Sequence, residues 1–303
     1  MRYGFMPGSA ERRSYSKTLH PGLKEETAMV VSVNTNAGQM LALQALNRTT
    51  KDLAAAQLRV TTGLRVNGPK DDPAVFAIAQ NLRGEIAGIN AVKTALALGE
   101  STVEVAIDGA TAVSDLLTEM KAKAVEASQD GLDAASQSAL HEEFTSLRSQ
   151  IVTVVGTSDF NGKNLIESAA TNLKVLSSVD GSTITVSATP IDTTSLAIHT
   201  ASLATASQAV TAVTAISQAI VEVSTALTSL GTAARRLEIQ QDFTTKLVDV
   251  LKEGVGTLVD ADLAADSAQI EALEIRQQLG VAALSIANGA PRAILGLFQS
   301  SEA

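Results

Sequence analysis

Residues 213–258 read VTAISQAIVEVSTALTSLGTAARRLEIQQDFTTKLVDVLKEGVGTL, with no proline and an apolar side chain every three or four positions. Val213, Ile216, Ile220, Val223, Leu227, Leu230, Ala234 and Leu237 form a seam. It continues through Gln241 and Thr244 to Val248, Leu251, Val255 and Leu258. A 3-4 spacing held over so many turns predicts one coiled-coil-like helix. At ~1.5 Å per residue that helix spans about 70 Å. Gln241 and Thr244 are polar members, and in such seams polar members fix register more than they add stability.

Upstream, the chain repeats the pattern. Proline in a helix interior costs about 3 kcal/mol. The six prolines, Pro7, Pro21, Pro69, Pro73, Pro190 and Pro291, therefore mark where long helices stop. Between Pro73 and Pro190 the residues Ile89, Val92, Leu96, Gly99, Val103, Ala106, Ala110, Val113, Leu117, Met120 and Ala124 keep one register. They predict a second long helix of about 50 Å, with Gly99 its weak member. Shorter amphipathic stretches sit at both ends. Leu43, Leu46, Leu53 and Val60 keep the spacing near the N-terminus, with Thr50 and Gln57 between them. Ile270, Leu273, Leu284, Ala287, Ile294 and Phe298 do so near the C-terminus. These ends are too polar to hold as isolated helices, so each needs a partner surface.

The middle differs. Residues 173–188 place Asp180-Gly181 between two runs rich in Val, Ile and Thr, which predicts a β-hairpin. The flanking segments 167–172 and 189–205 are rich in Ser, Thr and Ala and read as surface connections. The order is helix, loop, long helix, helix, short β insert, very long helix, helix. It predicts a mainly α fold: a long antiparallel coiled-coil-like bundle with a small β-hairpin insert.

Composition narrows the function. The apolar fraction is 45%, yet aromatics are 3% and Trp is absent, where an enzyme pocket is normally lined with more rings. Cysteine is absent, which excludes disulfides, zinc-thiolate centres and a cysteine nucleophile. His20, His141 and His199 stand far apart and read as solvated surface residues. No nucleophile–base pair, phosphate loop or metal cluster appears, so no catalysis, no cofactor and no metal are expected. Lys and Arg number 23 against 32 Asp and Glu, a net charge of −9. That balance argues against binding nucleic acid. No stretch is apolar enough to predict insertion in a membrane, and no cleaved secretory leader is evident.

Residues 57–74, from Gln57 through Gly63, Asn67-Gly68-Pro69 and Asp71-Asp72-Pro73 to Ala74, have a local reading. Gly63 and the Asn-Gly-Pro turn end one helix, and Asp71 or Asp72 caps the next with Pro73 in its first turn. The segment also resembles the N-terminal signature of bacterial flagellins. Ser32-Val33-Asn34-Thr35-Asn36 is similar to the start of that family. Asp159-Phe160-Asn161-Gly162-Lys163-Asn164-Leu165 resembles its "F-N-G" turn. Further on, Leu230 to Glu238 and Val259 to Ala264 resemble the C-terminal signatures, and Ala287-Asn288 with Leu295 to Phe298 resembles the closing helix. The departures are a family-foreign stretch before Met29, Arg235-Arg236 in place of an Asn-Arg pair, and an insert of only about 40 residues, the minimal type.

The resemblance implies a division. Residues 1–28 are an N-terminal extension, expected to be disordered. Residues 29–70 and 259–303 are the inner-tube helices of a filament. Residues 71–166 and 206–258 are the two halves of a rod domain, and 167–205 is a short variable surface insert. It implies a secreted structural subunit that polymerises with itself into the flagellar filament for motility, outside the cell, exported without a cleaved signal peptide. Its further partners would be the export apparatus, a flagellin chaperone, hook-associated and cap proteins and, at the insert, a surface glycan. Assembly contacts would fall at the motif positions Asn34, Asn36, Leu64, Arg65, Asn67, Asp71, Asp72, Phe160, Asn161, Arg235, Leu237, Asp260, Asp262, Leu295 and Phe298. Two alternatives share these features: a hook–filament junction protein, and a surface-displayed flagellin-like adhesin that binds glycans.

Overall fold

In the computed structural model residues 35–299 are described, with side chains through 289. The expected extension 1–28 and Asn34 lie outside the described residues. The described chain forms α1 (Ala37–Thr62), α2 (Pro73–Ala127), α3 (Ala134–Thr157), β1 (Asp159–Phe160), β2 (Lys163–Asn164), β3 (Leu173–Leu176), β4 (Thr183–Val186), α4 (Ala206–Val259) and α5 (Leu263–Gln299). Contacts divide it into two compact units. One is Gln57–Ser267; the other joins the flanking segments up to Ala56 and from Ala268.

In the larger unit α2 and α4 pack antiparallel along their lengths. Ile89 and Val92 of α2 lie beside Thr244 and Leu247 of α4, and Gln129 after α2 lies beside Ala204–Ala206. All eleven predicted seam residues of α2 are buried, Gly99 among them. On α4 the predicted seam needs a correction. Ile216, Val223, Leu230, Leu237, Thr244, Val248 and Val255 are buried, but Val213, Ile220, Leu227, Ala234 and Gln241 are only half-buried. The fully covered shoulder is Ala209, Ala212, Ala219, Ala226 and Ala233. Alanine offers little area but lets two helix axes approach closely, so the contact line turns toward the small side chains. Thr244 is accommodated because its hydroxyl donates to the Gln240 carbonyl in the preceding turn at 2.7 Å.

Helix α3 lies on α2 through Leu140, Phe144, Ile151 and Val155, spaced as one helical face. Its polar side ties down the segment leading to α4. Gln137 donates to the Leu203 carbonyl at 2.6 Å, and Arg148 donates to the carbonyls of His199 and Ala201, each at 2.9 Å. His141 accepts the Leu203 N–H on Nδ1 at 3.1 Å. His141 is thus a structural acceptor, not a solvated side chain, whereas His199 is exposed.

The predicted hairpin is present as β3 and β4, antiparallel with Val175 opposite Ile184, and Gly181 takes a left-handed φ of 87° at its turn. It lies against α2 at glycines. A Cβ on Gly99 would stand 2.5 Å from a Val175 methyl, and one on Gly88 equally close to Val179. The weak member of the α2 seam is thus the place where β3 touches the helix. A second hairpin, β1–β2, turns on Asn161 and Gly162, both at positive φ. This Asn-Gly pair between two strands is the strongest short-range hairpin signal.

Candidate assembly surfaces

Several motif positions converge on one junction in the larger unit, where the chain leaves α1 and enters α5. Gly63 ends α1 with φ 71°, and the chain then pairs with the end of α4. Leu64 bridges Asp260, and the N–H groups of Arg65 and Val66 both donate to the Val259 carbonyl, at 2.7 and 3.2 Å. The Arg65 guanidinium donates to the Leu258 carbonyl at 2.6 Å, one of the carbonyls a helix end leaves unpaired.

The two carboxylates of Asp71-Asp72 divide their work. Asp71 Oδ2 accepts the N–H groups of Asn67 and Gly68 at 3.0 and 3.1 Å and closes the turn. Asp72 is the N-cap of α2, accepting from Ala74 and Val75 at 3.0 Å each, with Pro73 next in line where a missing N–H costs nothing. Asp262 performs the same task for α5, taking the N–H groups of Ala264 and Ala265 at 3.1 Å. Beneath them Val66, Ala79, Val255 and Val259 form a small apolar core. These acids bind backbone, and the arrangement offers no acid–base pair.

One pair at this junction carries no local sequence signal. Arg59 donates from Nε and Nη2 to Asp266 Oδ1 at 2.9 and 2.7 Å, across 207 positions of chain. Asp266 is buried. The hydrogen bond to Asp266 raises the Arg59 pKa further above its ordinary value; burial opposes this, and the charges of Asp266 and Asp71 add to it.

Other motif residues lie elsewhere. Leu237 is in the α2–α4 core, Phe160 and Asn161 form the β1–β2 turn, and Arg235 is exposed beside Glu100, Glu104, Glu238 and Asp242. In the terminal unit Asn36 starts α1. Its Oδ1 accepts the Gln39 N–H at 3.0 Å, and its Nδ2 donates to the Ala287 carbonyl at 2.7 Å. Leu295 and Phe298 belong to α5, but their side chains lie outside the described residues.

Among the described residues the terminal unit has little core. Leu53, Ala56 and Leu273 are buried, with Ile270 packed against them. Gly280 lets α5 approach Leu46 of α1. Yet Met40, Leu41, Ile275, Leu279 and Ile286 are all more than half exposed. Large apolar side chains this exposed form a patch of the kind that interaction surfaces show. Among the described residues no group of three or more His, Asp or Glu side chains is placed to hold a metal ion.

The chain is similar to known proteins along most of its length. A family model described as the bacterial flagellin N-terminal helical region matches residues 33–171, and its C-terminal counterpart matches 213–298. The stretch between the two matches contains β3 and β4. Flagellin FljK of Caulobacter vibrioides is 43% identical over 269 residues, covering 88% of this chain and 98% of that protein. A flagellin of Brucella melitensis is 32% identical over 283 residues, covering 89% and 100%. A solved Vibrio parahaemolyticus chain, assigned as flagellar hook-associated, superposes with a TM-score of 0.52 at 16% identity. It covers 63% of this chain and 100% of that one, a likeness of fold alone. The chain belongs to the bacterial flagellin family, and it is a structural subunit that polymerises into the extracellular filament of the flagellum.

Proposed function

We propose that residues 29–70 and 259–303 form the inner tube of the filament and that 71–166 with 206–258 form the shell around it, leaving 167–205 at the outer surface. The observation that carries this reading is the exposed apolar row of the terminal unit. Met40, Leu41, Leu43, Ile275, Leu279, Val281 and Ile286 are each 45% to 77% exposed. Covering them would contribute on the order of 10 kcal/mol per subunit before ordering costs, at roughly 1.5–3 kcal/mol per fully buried side chain. Three buried residues within the unit offer much less. Stability of these ends therefore comes from neighbouring copies, and the soluble subunit holds them loosely.

Hydrogen exchange over residues 35–60 tests this. Fast exchange in the soluble subunit and slow exchange in the filament is the expected result. Equally slow exchange in both states refutes it.

The motif residues of the 63–72 and 258–262 junction act indirectly in this reading. They hold the turn after α1 to the end of α4 within the larger unit. The same loosely held ends suit passage through the flagellar export apparatus without a cleaved leader, delivered by a chaperone that covers the apolar rows. Hook-associated and cap proteins would meet the subunit at the two ends of the filament. A surface glycan, if one binds, belongs at 167–205, rich in exposed hydroxyls. Secretion and N-terminal sequencing in a strain lacking the export apparatus check the first of these: secretion that persists there excludes the route.

A further inference from the structure

The segment that joins the hairpin insert to α4 is gripped along its backbone by three side chains of α3. Arg148 holds the carbonyls of His199 and Ala201, each at 2.9 Å. Gln137 holds the Leu203 carbonyl at 2.6 Å and the Ala127 carbonyl at 3.1 Å. The third grip differs in kind. His141 accepts the Leu203 N–H on Nδ1 at 3.1 Å, so it is an acceptor where the other two donate. Leu203 is thus held by both its N–H and its carbonyl, and its side chain is fully buried, as is that of Ile198.

An accepting ring nitrogen carries no proton. Nδ1 takes the Leu203 N–H only while the imidazole is neutral with its proton on Nε2; the imidazolium is protonated on both nitrogens and would set N–H against N–H. Histidine is the side chain whose charge ordinarily changes between about pH 5 and 8, whereas Arg148 and Gln137 donate throughout that range. The segment also carries strain. Ala197 holds a φ of 54°, a left-handed conformation that a non-glycine residue keeps only where its surroundings enforce it.

The charges around the ring come from several elements. On α3, Glu142 and Glu143 adjoin His141, and Glu143 pairs with Lys123 of α2 at 2.7 Å. Arg148 lies two turns further on, and Asp133 is spent on capping, accepting the Ser136 N–H. Glu126 stands near the end of α2, and Asp130, in the turn that follows, lines the same cavity as His141. The segment and the start of α4 bring no charged residue between His199 and Glu222.

We propose that His141 is an acid-sensitive latch: taking up a proton breaks its bond to Leu203 and loosens the strap 199–205, while the α2–α4 pair stays folded. The bond contributes with the ring neutral, at the higher pH, and is lost as pH falls. An extracellular filament takes the pH of its surroundings, so the latch answers to the medium directly.

Residue-resolved hydrogen exchange on the full soluble chain at about pH 8 and about pH 5 tests this, each amide taken relative to its intrinsic rate at that pH. Protection of the Leu203 amide is expected to fall about fivefold at the lower pH, the worth of one hydrogen bond. The Leu230 amide, in the α4 core, is expected to keep its protection. His141→Asn leaves an acceptor oxygen in place of Nδ1 with no charge to gain, and should hold Leu203 protection constant; His199→Asn should leave the fall in place. Nitrogen chemical shifts of the His141 ring in the parent chain should show one proton, on Nε2, at the higher pH and two at the lower. Equal Leu203 protection at both pH values overturns the proposal, and so does an equal fall in His141→Asn or at Leu230. A ring that gains its second proton while Leu203 stays protected overturns it without any variant.

Discussion

Gly99 and Gly231 each sit inside a long helix, and substituting alanine at each should move stability in opposite directions. Alanine in place of glycine within a helix gains about 1 kcal/mol from backbone entropy and propensity. At Gly231 nothing lies within 4 Å of the added Cβ, so Gly231→Ala keeps that gain. At Gly99 the Cβ would stand 2.5, 2.9 and 3.3 Å from three carbons of Val175. Val175 is buried in β3 and held by its ladder to β4, so it cannot swing aside, and the strand must back away from α2. Overpacking of this kind costs about 1–3 kcal/mol. Set against the ~1 kcal/mol gain, Gly99→Ala comes out destabilising by up to about 2 kcal/mol. At roughly 2–4 °C per kcal/mol for a domain of this size, the two variants should melt several degrees apart, one on each side of the parent. Thermal unfolding followed by circular dichroism on the full chain reads both. The cycle with Val175→Ala adds a check, because the coupling should vanish for Gly231 and be large for Gly99. If Gly99→Ala stabilises as much as Gly231→Ala, the hairpin does not rest on α2 there.

Three more perturbations separate local roles. Asp266→Ala removes the acceptor of both Arg59 hydrogen bonds and should cost about 1.5–3 kcal/mol, seen as a melting point several degrees lower; an unchanged melting point means the pair is ornamental. Asp72→Ala should cost about 1 kcal/mol through the lost cap of α2, with Asp72→Ser restoring most of it; equal losses in the two variants contradict a capping role. Asp133 caps α3, and its hydrogen bonds to Ser136 hold its carboxyl below the usual 3.8. A depressed carboxylate stabilises the fold above its unfolded pKa and loses that contribution as pH falls through the folded value. Protection of the Ser136 amide, taken relative to its intrinsic exchange rate at each pH, should therefore hold down to about pH 3.8 and fall only below it; protection already lost at pH 5 to 6 would refute the assignment.

The helices were legible because their causes are local and periodic. Eleven apolar residues in one register fixed the buried face of α2, and Pro73 its start, but its 55 residues exceed the expected length of about 50 Å. The turn chemistry was legible for the same reason: Asp72 caps because of its place before Pro73, and Gly181 turns because it is glycine between two β-rich runs. Three features were not. The α4 seam was placed one position off, on Val213, Ile220 and Leu227, because hydrophobicity was weighed and size was not. His141 was read as solvated because its partner, the Leu203 amide, is 62 positions away. The Arg59–Asp266 pair was missed because a charged residue in an exposed-looking helix gives no hint of a partner 207 positions off. At the junction, Asp71, Asp72 and Asp262 were found as motif letters, while their common task, holding backbone N–H groups, came from geometry.

The shortage of aromatic residues has a structural cause. Two helices of more than fifty residues that touch along their whole length need small side chains wherever their axes come near. Ala212, Ala219, Ala226 and Ala233 on α4 share one continuous core with Ala106 and Ala110 on α2. A ring at any of them would force the axes beyond the 8–10 Å at which helices pack. Among the described residues the one fully buried ring is Phe144, on α3, where a third helix leaves room for it. With few rings, each core contact is small, and stability must be gathered over length. Length in turn exposes long helix faces that a lone chain cannot cover. The same choice of side chains that builds the α2–α4 pair therefore ties its stability to the length of the two helices.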